Sequence, residues 1–498
     1  MDTAVEQERP RAAGEEPTEL KRAIGPKLLL LFIVGDILGT GVYSLTGRVA
    51  SEVGGAAWAP FIVAFAIALV TAFSYLELVT KYPRAAGAAL YTHKAFGIHF
   101  VTFLVAFTVM CSGITSASTA SNAFAANLAD GFGLDAENST LVVTIALLFM
   151  VVVAAVNFRG VGESVKANVV LTCVELSGLL LVILVGVYAA SNGKADFSRV
   201  TVFDTSGDKT VFLAITAATS LAFFAMVGFE DAVNMAEECH DPVRNFPRMM
   251  LAGIGLTGLI YVLVAIVAVA LVPVGELGEG DTPLTKVVSA GLPDFPVDNL
   301  MPFIAMFAVA NSALINMLMA SRLLYGMARQ EVLPPALGWV HPGRRTPWVA
   351  ILFTTAIAFG LIVFVSTSDS DVVPALGGTT ALLLLGVFTV VNVVVLVLRR
   401  DDIGRAHFRT PTVLPVIGAA VCFFFTLPVT GRDPIQYTIA AWLLGIGVVL
   451  WALTWAANRA FFAKRTYLRD PEEIAGNPPV VGGPPEGRPG ERGDGPVS

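Results

Sequence analysis

Charge is what this chain has least of. Only 14% of its 498 residues are Asp, Glu, Lys or Arg, against about 25% in a soluble globular chain. Hydrophobic residues make up 55% and mean hydropathy is +0.72, too apolar for a water-soluble domain. The net charge of −7 says little, because charge lies mainly in loops and tails, and nothing resembles a basic nucleic-acid face, so no nucleic-acid partner is expected. Cysteine is scarce too. Cys111, Cys173, Cys239 and Cys422 show no CxxC spacing, and Cys111, Cys173 and Cys422 sit in apolar runs, where cysteine acts as a small buried hydrophobe. His93, His99, His240, His341 and His407 fall at or near loops without ligand spacing, which argues against a metal centre. No GxxxxGK[ST] run occurs, so ATP drive within the chain is not expected. Nor is there a nucleophile–base constellation, so the expectation is no enzyme and no cofactor. The start is polar with mixed charge and the first apolar segment is long enough to span, so no cleavable signal peptide is expected.

What is present is a succession of apolar runs of about 20 residues, the length that crosses a bilayer. They predict spans near 27–49, 55–79, 99–125, 139–157, 166–190, 210–236, 248–272, 299–325, 347–366, 372–398, 411–429 and 436–460. The expectation is an all-α integral membrane protein with twelve transmembrane helices. Lys81, Arg84, Lys94, Arg159, Lys166, Arg244, Arg248, Arg329, Arg344, Arg345, Arg399, Arg400, Arg405 and Arg409 collect on one side of these spans. Arg48, Lys194, Arg199, Lys209, Lys286 and Arg432 are all that the other side has. The first set marks the cytoplasmic face, and an even span count puts both termini there. The tails at 1–24 and 466–498 are polar, the second dense in Pro and Gly, and both are expected to be disordered.

Two spans are interrupted. Gly35-Asp36-Ile37-Leu38-Gly39-Thr40-Gly41 puts three glycines and an acid inside the first, and Phe224-Ala225-Met226-Val227-Gly228-Phe229-Glu230-Asp231 puts a glycine and two acids inside the sixth. Broken backbone at membrane depth survives only where it lines a cavity or is buried in protein. Two breaks five helices apart are the pattern of a five-plus-five inverted repeat with substrate held between them. A half-helix starting at Gly39, Thr40 and Gly41 offers free N–H groups and a positive dipole end, which suit a carboxylate. Freed carbonyls around Ile37 and Phe224–Val227 suit an ammonium. A site with both recognises an α-amino acid. The plain alternative is helix packing, for which a single GxG is common; paired breaks with acids favour the site.

At these residues the chain resembles the amino acid–polyamine–organocation (APC) superfamily. Gly35 to Tyr43 is similar to its G-x-I-I/L-G-T/S-G-I-F signature. Tyr82 to Tyr91 resembles the "YPRAGGAYVY" loop. Gly228-Phe229-Glu230-Asp231, Ala236-Glu237-Glu238 and Asn245-Phe246-Pro247-Arg248 resemble its sixth-helix run, and Ser321-Arg322 through Leu333-Pro334 the end of its eighth helix. The likeness covers about 25–460. It implies the leucine-transporter fold: a ten-helix core over 25–398 as a 5+5 inverted repeat, plus two accessory helices over 399–465. It implies that amides of Gly39, Thr40 and Gly41 hold the substrate carboxylate and that carbonyls of Ile37, Phe224 and Val227 receive its amine. Phe224 matches the aromatic that caps substrate in the superfamily's arginine/agmatine exchanger, and Glu230 matches that exchanger's pH-sensing glutamate. Ser312 and Asn316 fall at pocket-facing positions of the eighth helix.

Two departures stand out. Asp36 occupies a place where many relatives are neutral. Glu175 occupies one where some relatives carry a lysine in place of a sodium ion; a carboxylate there can carry a proton or help hold a cation. Acids within spans are functional by default, so Asp36, Glu175 and Glu230 are assigned to proton coupling or gating. Hydrogen bonding to broken backbone is the alternative for Asp36 and Glu230. Glu77 and the Glu237-Glu238 pair, near cytoplasmic ends, read as gate or cap salt bridges. The reading is a secondary amino-acid transporter of the cytoplasmic membrane. Proton symport leads, sodium is the alternative ion, and an exchanger or an amino-acid sensor using the same pocket is the alternative function.

Overall fold

A computed structural model describes residues 24–83, 87–135, 138–159, 164–205, 209–293, 300–330, 332–344, 346–368, 371–404 and 406–461. The expected tails, Arg84–Ala86, Glu163, Arg345 and Arg405, and the side chains of Lys166, Asn168 and Glu237, lie outside the described residues.

The apolar runs become helices. In chain order these are α1 (Pro26–Leu38), α2 (Thr40–Val53), α3 (Trp58–Lys81), α4 (Gly87–Phe96), α5 (His99–Gly131), α6 (Ser139–Arg159), α7 (Ser164–Ser191) and α8 (Val211–Ala225). They continue as α9 (Pro242–Leu271), α10 (Val274–Leu277), α11 (Pro283–Gly291), α12 (Leu300–Arg329), α13 (Trp348–Ser366), α14 (Val372–Leu398), α15 (Val413–Phe424) and α16 (Pro434–Phe461). Among the described residues, ten stretches, one of them α1 and α2 taken together, are long and apolar enough to cross a membrane. Leu148 and Val152 of α6, Leu184 of α7, and Trp442 and Leu453 of α16 lie exposed on the outside of the bundle, where a bilayer rather than water suits them.

Two expected spans are shorter in helix than the hydropathy suggested. The sixth is helical only to Ala225; a turn and a 3₁₀ helix (Asp231–Glu238) follow. The cause is Gly228 at φ 125°, a conformation side chains rarely adopt and one that ends an α-helix. The eleventh, expected over 411–429, holds only the 12-residue α15, because Pro428 and Gly431 turn the chain.

Small residues set the packing. α5 is rich in Ala, Ser and Gly, and both α12 and α14 run along it. α1 lies against α7 and α9, α2 against α8, and α3 against α9 and α8. One apolar cluster centres on the α1–α3, α8 and α9 side, and a second on α5, α6, α12 and α13. At the α3–α14 end, Glu77 is almost fully buried and accepts two bonds from Arg399, Nε at 2.8 Å and Nη2 at 2.7 Å, and a third from Thr410 N–H at 2.8 Å. Lys81 donates to the carbonyls of Leu398 and Asp401, and Tyr82 to the Asp401 carboxylate. Bidentate, partly buried charge pairs of this kind are the strong ones. Among the cysteines, Cys111, Cys239 and Cys422 are buried as free thiols, but Cys173 is exposed, because its face of α7 points away from the bundle.

Candidate binding cavity at the two helix breaks

The first break is one residue wide. α1 ends at Leu38, Gly39 takes φ −27° and ψ −150°, and α2 begins at Thr40 with no side chain capping its first N–H groups. A helix start leaves its first four N–H groups without intrahelical partners, so the amides at and after Thr40 are free to meet an anion. Tyr43 and Tyr261 brace the break from two sides. Tyr43 donates to the backbone carbonyl of Glu175 at 2.6 Å, and Tyr261 donates to the carbonyl of Ile37 at 2.5 Å. One lone pair of the Ile37 carbonyl is therefore taken.

The second break lies against the first. A Cβ built on Gly228 would stand 2.6 Å from the carbonyl oxygen of Asp36 and 3.0 Å from the nitrogen of Ile37. A Cβ on Gly41 would stand 2.8 Å from the nitrogen of Ala225 and closer still to its Cα. Only glycine permits either approach. The carboxylate of Glu230 folds back on its own turn, accepting from the Gly228 N–H at 2.9 Å. Phe224 is 5% exposed and its ring packs beside Gly377 of α14. Part of the Phe224 carbonyl's capacity is used by the N–H groups of Met226 and Val227.

Between the breaks lies a cavity of about 40 Å³, room for a few waters. Asp36, Ile37, Gly39, Thr40 and Gly41 line it from the first break, and Phe224, Val227 and Glu230 from the second. Ser312 and Asn316 of α12 close one wall; Asn316 donates to the Ser312 carbonyl at 2.9 Å, and the Ser312 hydroxyl lies over Gly39. Asp36 Oδ2 and Thr40 Oγ1 have no hydrogen-bond partner among the described residues.

Glu175 is the one proposed residue outside this cavity. Its position follows from its helix face: Thr172 packs on Gly35 and Gly178 packs on the Tyr43 hydroxyl. Glu175 lies between these two contacts, one turn from each, so it faces the stretch of chain that holds the break. It is 0% exposed and neither carboxylate oxygen has a partner among the described residues.

Sequence reasoning missed the far wall. Ser112 and Ser116 of α5, Thr380 of α14, Met319 and Leu323 of α12, and Asp231 also line the cavity. Thr380 is held by Thr115, their hydroxyls 2.7 Å apart. A signal existed: α5 carries a run of buried hydroxyls from Ser112 to Ser121, unusual for a span. The cavity holds three carboxylates and, among the described residues, no Lys, Arg or His in its lining, an arrangement suited to cations and to an amine.

The amino acid permease family matches residues 24–452. The methylthioribose transporter of Bacillus subtilis (strain 168) is 27% identical over 89% of this chain and 95% of its own length. The branched-chain amino acid permease of the same organism is 25% identical over the same shares. The vacuolar cationic amino acid transporter 2 of Arabidopsis thaliana is 29% identical over 76% of this chain and 60% of its own length.

Proposed function

The chain belongs to the amino acid permease family, and from that premise we propose that it is a secondary active transporter moving amino acids across the cytoplasmic membrane by proton symport. A multi-pass membrane protein of this family transports rather than catalyses. The observation that carries the reading is the contact of the two breaks across one cavity, with the uncapped start of α2 on one wall and carboxylates on the other. Amides of Gly39, Thr40 and Gly41 receive the substrate carboxylate. The amine sits on the carbonyl of Val227 and the remaining capacity of Ile37 and Phe224, Ser312 and Asn316 border it, and the Phe224 ring lies over it. The exchanger and sensor alternatives use the same pocket.

The paired breaks support a twelve-helix, 5+5 arrangement, with α8 and its 3₁₀ extension as the sixth span and α15 and α16 as accessory helices beyond the 25–398 core. The basic loops support cytoplasmic termini. For coupling, Glu175 is the plainest candidate carrier. A buried ionised carboxylate with no partner is costly, so a proton or cation has to join it. Asp36 and Glu230 border the substrate directly, where binding can alter their proton affinity.

Uptake into proteoliposomes under separately imposed proton and sodium gradients tests the reading. Accumulation driven by an inward proton gradient supports it. Drive by sodium alone, with no response to pH, overturns the proton assignment and makes Glu175 a cation ligand.

A further inference from the structure

α15 and α16 are joined by a tight turn at the extracellular end in the proposed orientation, with Pro428–Thr430 in 3₁₀ form and Gly431 at φ 74°. This turn reaches both helices that hold the Phe224 ring. A Cβ built on Gly431 would stand 3.4 Å from the carbonyl oxygen of Leu213 and 3.5 Å from the Ala217 Cβ, both on α8. Ala217 lies two turns before Phe224 on the same face of that helix. On its other side the turn grips α14 through Arg432.

Arg432 is 6% exposed, and no carboxylate pairs with it among the described residues. Its Nε donates at 2.8 Å to the carbonyl of Phe425, the residue that ends α15. That bond is a helix cap, a cation at the negative end of a dipole. Its Nη1 donates to the carbonyl of Gly378 and to Gln436 Oε1, each at 3.0 Å. The Gly378 carbonyl lies inside α14, where a helix needs no cap. There α14 is bare: a Cβ on Gly377 would stand 3.3 Å from Cδ1 of the Phe224 ring, and one on Gly378 would stand 2.1 Å from Nε2 of Gln436. Adjacent glycines weaken a helix and let it bend. They also leave α14 without a side chain to set its distance from the ring on one face or from the α15–α16 turn on the other. Two residues further on, Thr380 lines the cavity. A buried cation without an acid is costly, and what this one holds is a weak turn of helix directly behind the lid.

We propose that the α15–α16 turn is the backstop of the lid: Arg432, gripping α14 at Gly378, fixes the wall against which the Phe224 ring closes and so sets how long a bound amino acid is retained. With the grip in place, α14 does not yield and substrate leaves only when the ring itself swings. Without it, the glycine pair gives way and the ring seals poorly. Arg432 does not line the cavity; it is a positioning residue that acts through α14. The accessory helices thereby take part in gating. The inference rests on the reading of Phe224 as a lid over bound amino acid.

The test is the rate at which the purified full chain releases a labelled amino acid into excess unlabelled ligand, the probe being whichever of the twenty gives the largest uptake. Arg432→Gln should release it at least fivefold faster than the wild type and raise KM by a similar factor, with kcat changed less than twofold. Gly378→Ala keeps the arginine and its cap on α15 but pushes the flexible Gln436 amide, and the turn with it, off α14. It should also speed release, and it carries the test if Arg432→Gln does not fold. Combination of either variant with Phe224→Ala decides the mechanism, because with the ring gone there is no lid to support. Release should then match that of Phe224→Ala alone. Further acceleration beyond Phe224→Ala would mean that Arg432 acts independently of the ring, and overturns the proposal. So does wild-type release by folded Arg432→Gln or, in its place, by Gly378→Ala. A wild type that binds none of the twenty is a different failure: it removes the amino-acid reading, and this inference with it.

Discussion

Replacing Gly41 with alanine adds one methyl group at the point where α2 meets α8. Its Cβ would lie 2.6 Å from the Ala225 Cβ and 2.8 Å from the Ala225 nitrogen, where ordinary contact begins at 3.4 Å. The obstructing atoms include backbone, so no side-chain rotation relieves them, and the two half-helices must move apart. Overpacking of this kind costs about 1–3 kcal/mol, and at 1.36 kcal/mol per tenfold the expected loss in uptake is roughly five- to 160-fold. Because the strain falls on Ala225 Cα and nitrogen as well as its methyl, the added change Ala225→Gly should restore little. Gly39→Ala should differ, since its Cβ meets the movable Ser312 hydroxyl; that variant should fold normally yet bind substrate poorly. Gly255→Ala, with open space around it, serves as the silent control. Uptake by purified protein, with thermal unfolding followed in parallel, gives the readout. Wild-type uptake by Gly41→Ala would refute the claim that the two breaks are held in contact, and the larger Gly41→Leu would then be free to bind as well.

Further expectations concern single side chains. Phe224→Ala removes the ring that lies over the cavity and should reduce uptake at least tenfold, while Phe224→Trp keeps a good part of it; equal uptake by the alanine variant would take Phe224 out of the gate. Glu230→Gln preserves an acceptor for the Gly228 N–H, so it should still bind substrate while uptake loses its rise with external acidification; an unchanged pH profile would clear Glu230 of coupling. Asp281, raised by burial from 3.8 to about 6, holds more protons folded than unfolded between those values, so stability falls as pH rises through that window and the penalty is complete above it. At 1.36 kcal/mol per unit this amounts to at most about 3 kcal/mol, so Asp281→Asn should stabilise the protein at pH 8 and have no such effect at pH 4. Arg399→Gln leaves the buried Glu77 carboxylate, among the described residues, with the Thr410 N–H alone and should destabilise by about 3–5 kcal/mol, read as a lower melting temperature in detergent.

The helix breaks were legible because Gly35, Asp36, Gly39 and Gly41 defy both hydropathy and helix propensity within one short stretch. Contacts between distant helices were not. Nothing local says that Ser112 and Thr380 share a wall with Asp36, or that Arg399, 322 residues along, closes on Glu77. Those pairings depend on where helices cross, which a hydropathy pattern leaves open. Glu175 shows the same limit in reverse: its place within a span was legible from its apolar surroundings, but its exclusion from the cavity was not. Cys173 was misplaced because an apolar run does not reveal which face of a span meets lipid.

The most direct test of the account is uptake of labelled amino acids by the purified chain in proteoliposomes, with an inward proton gradient imposed and then collapsed. Accumulation of at least one amino acid above equilibrium, lost when the gradient collapses and lost in Gly41→Ala, is the predicted result. A correctly folded wild-type protein that accumulates none of the twenty under any imposed gradient would contradict it.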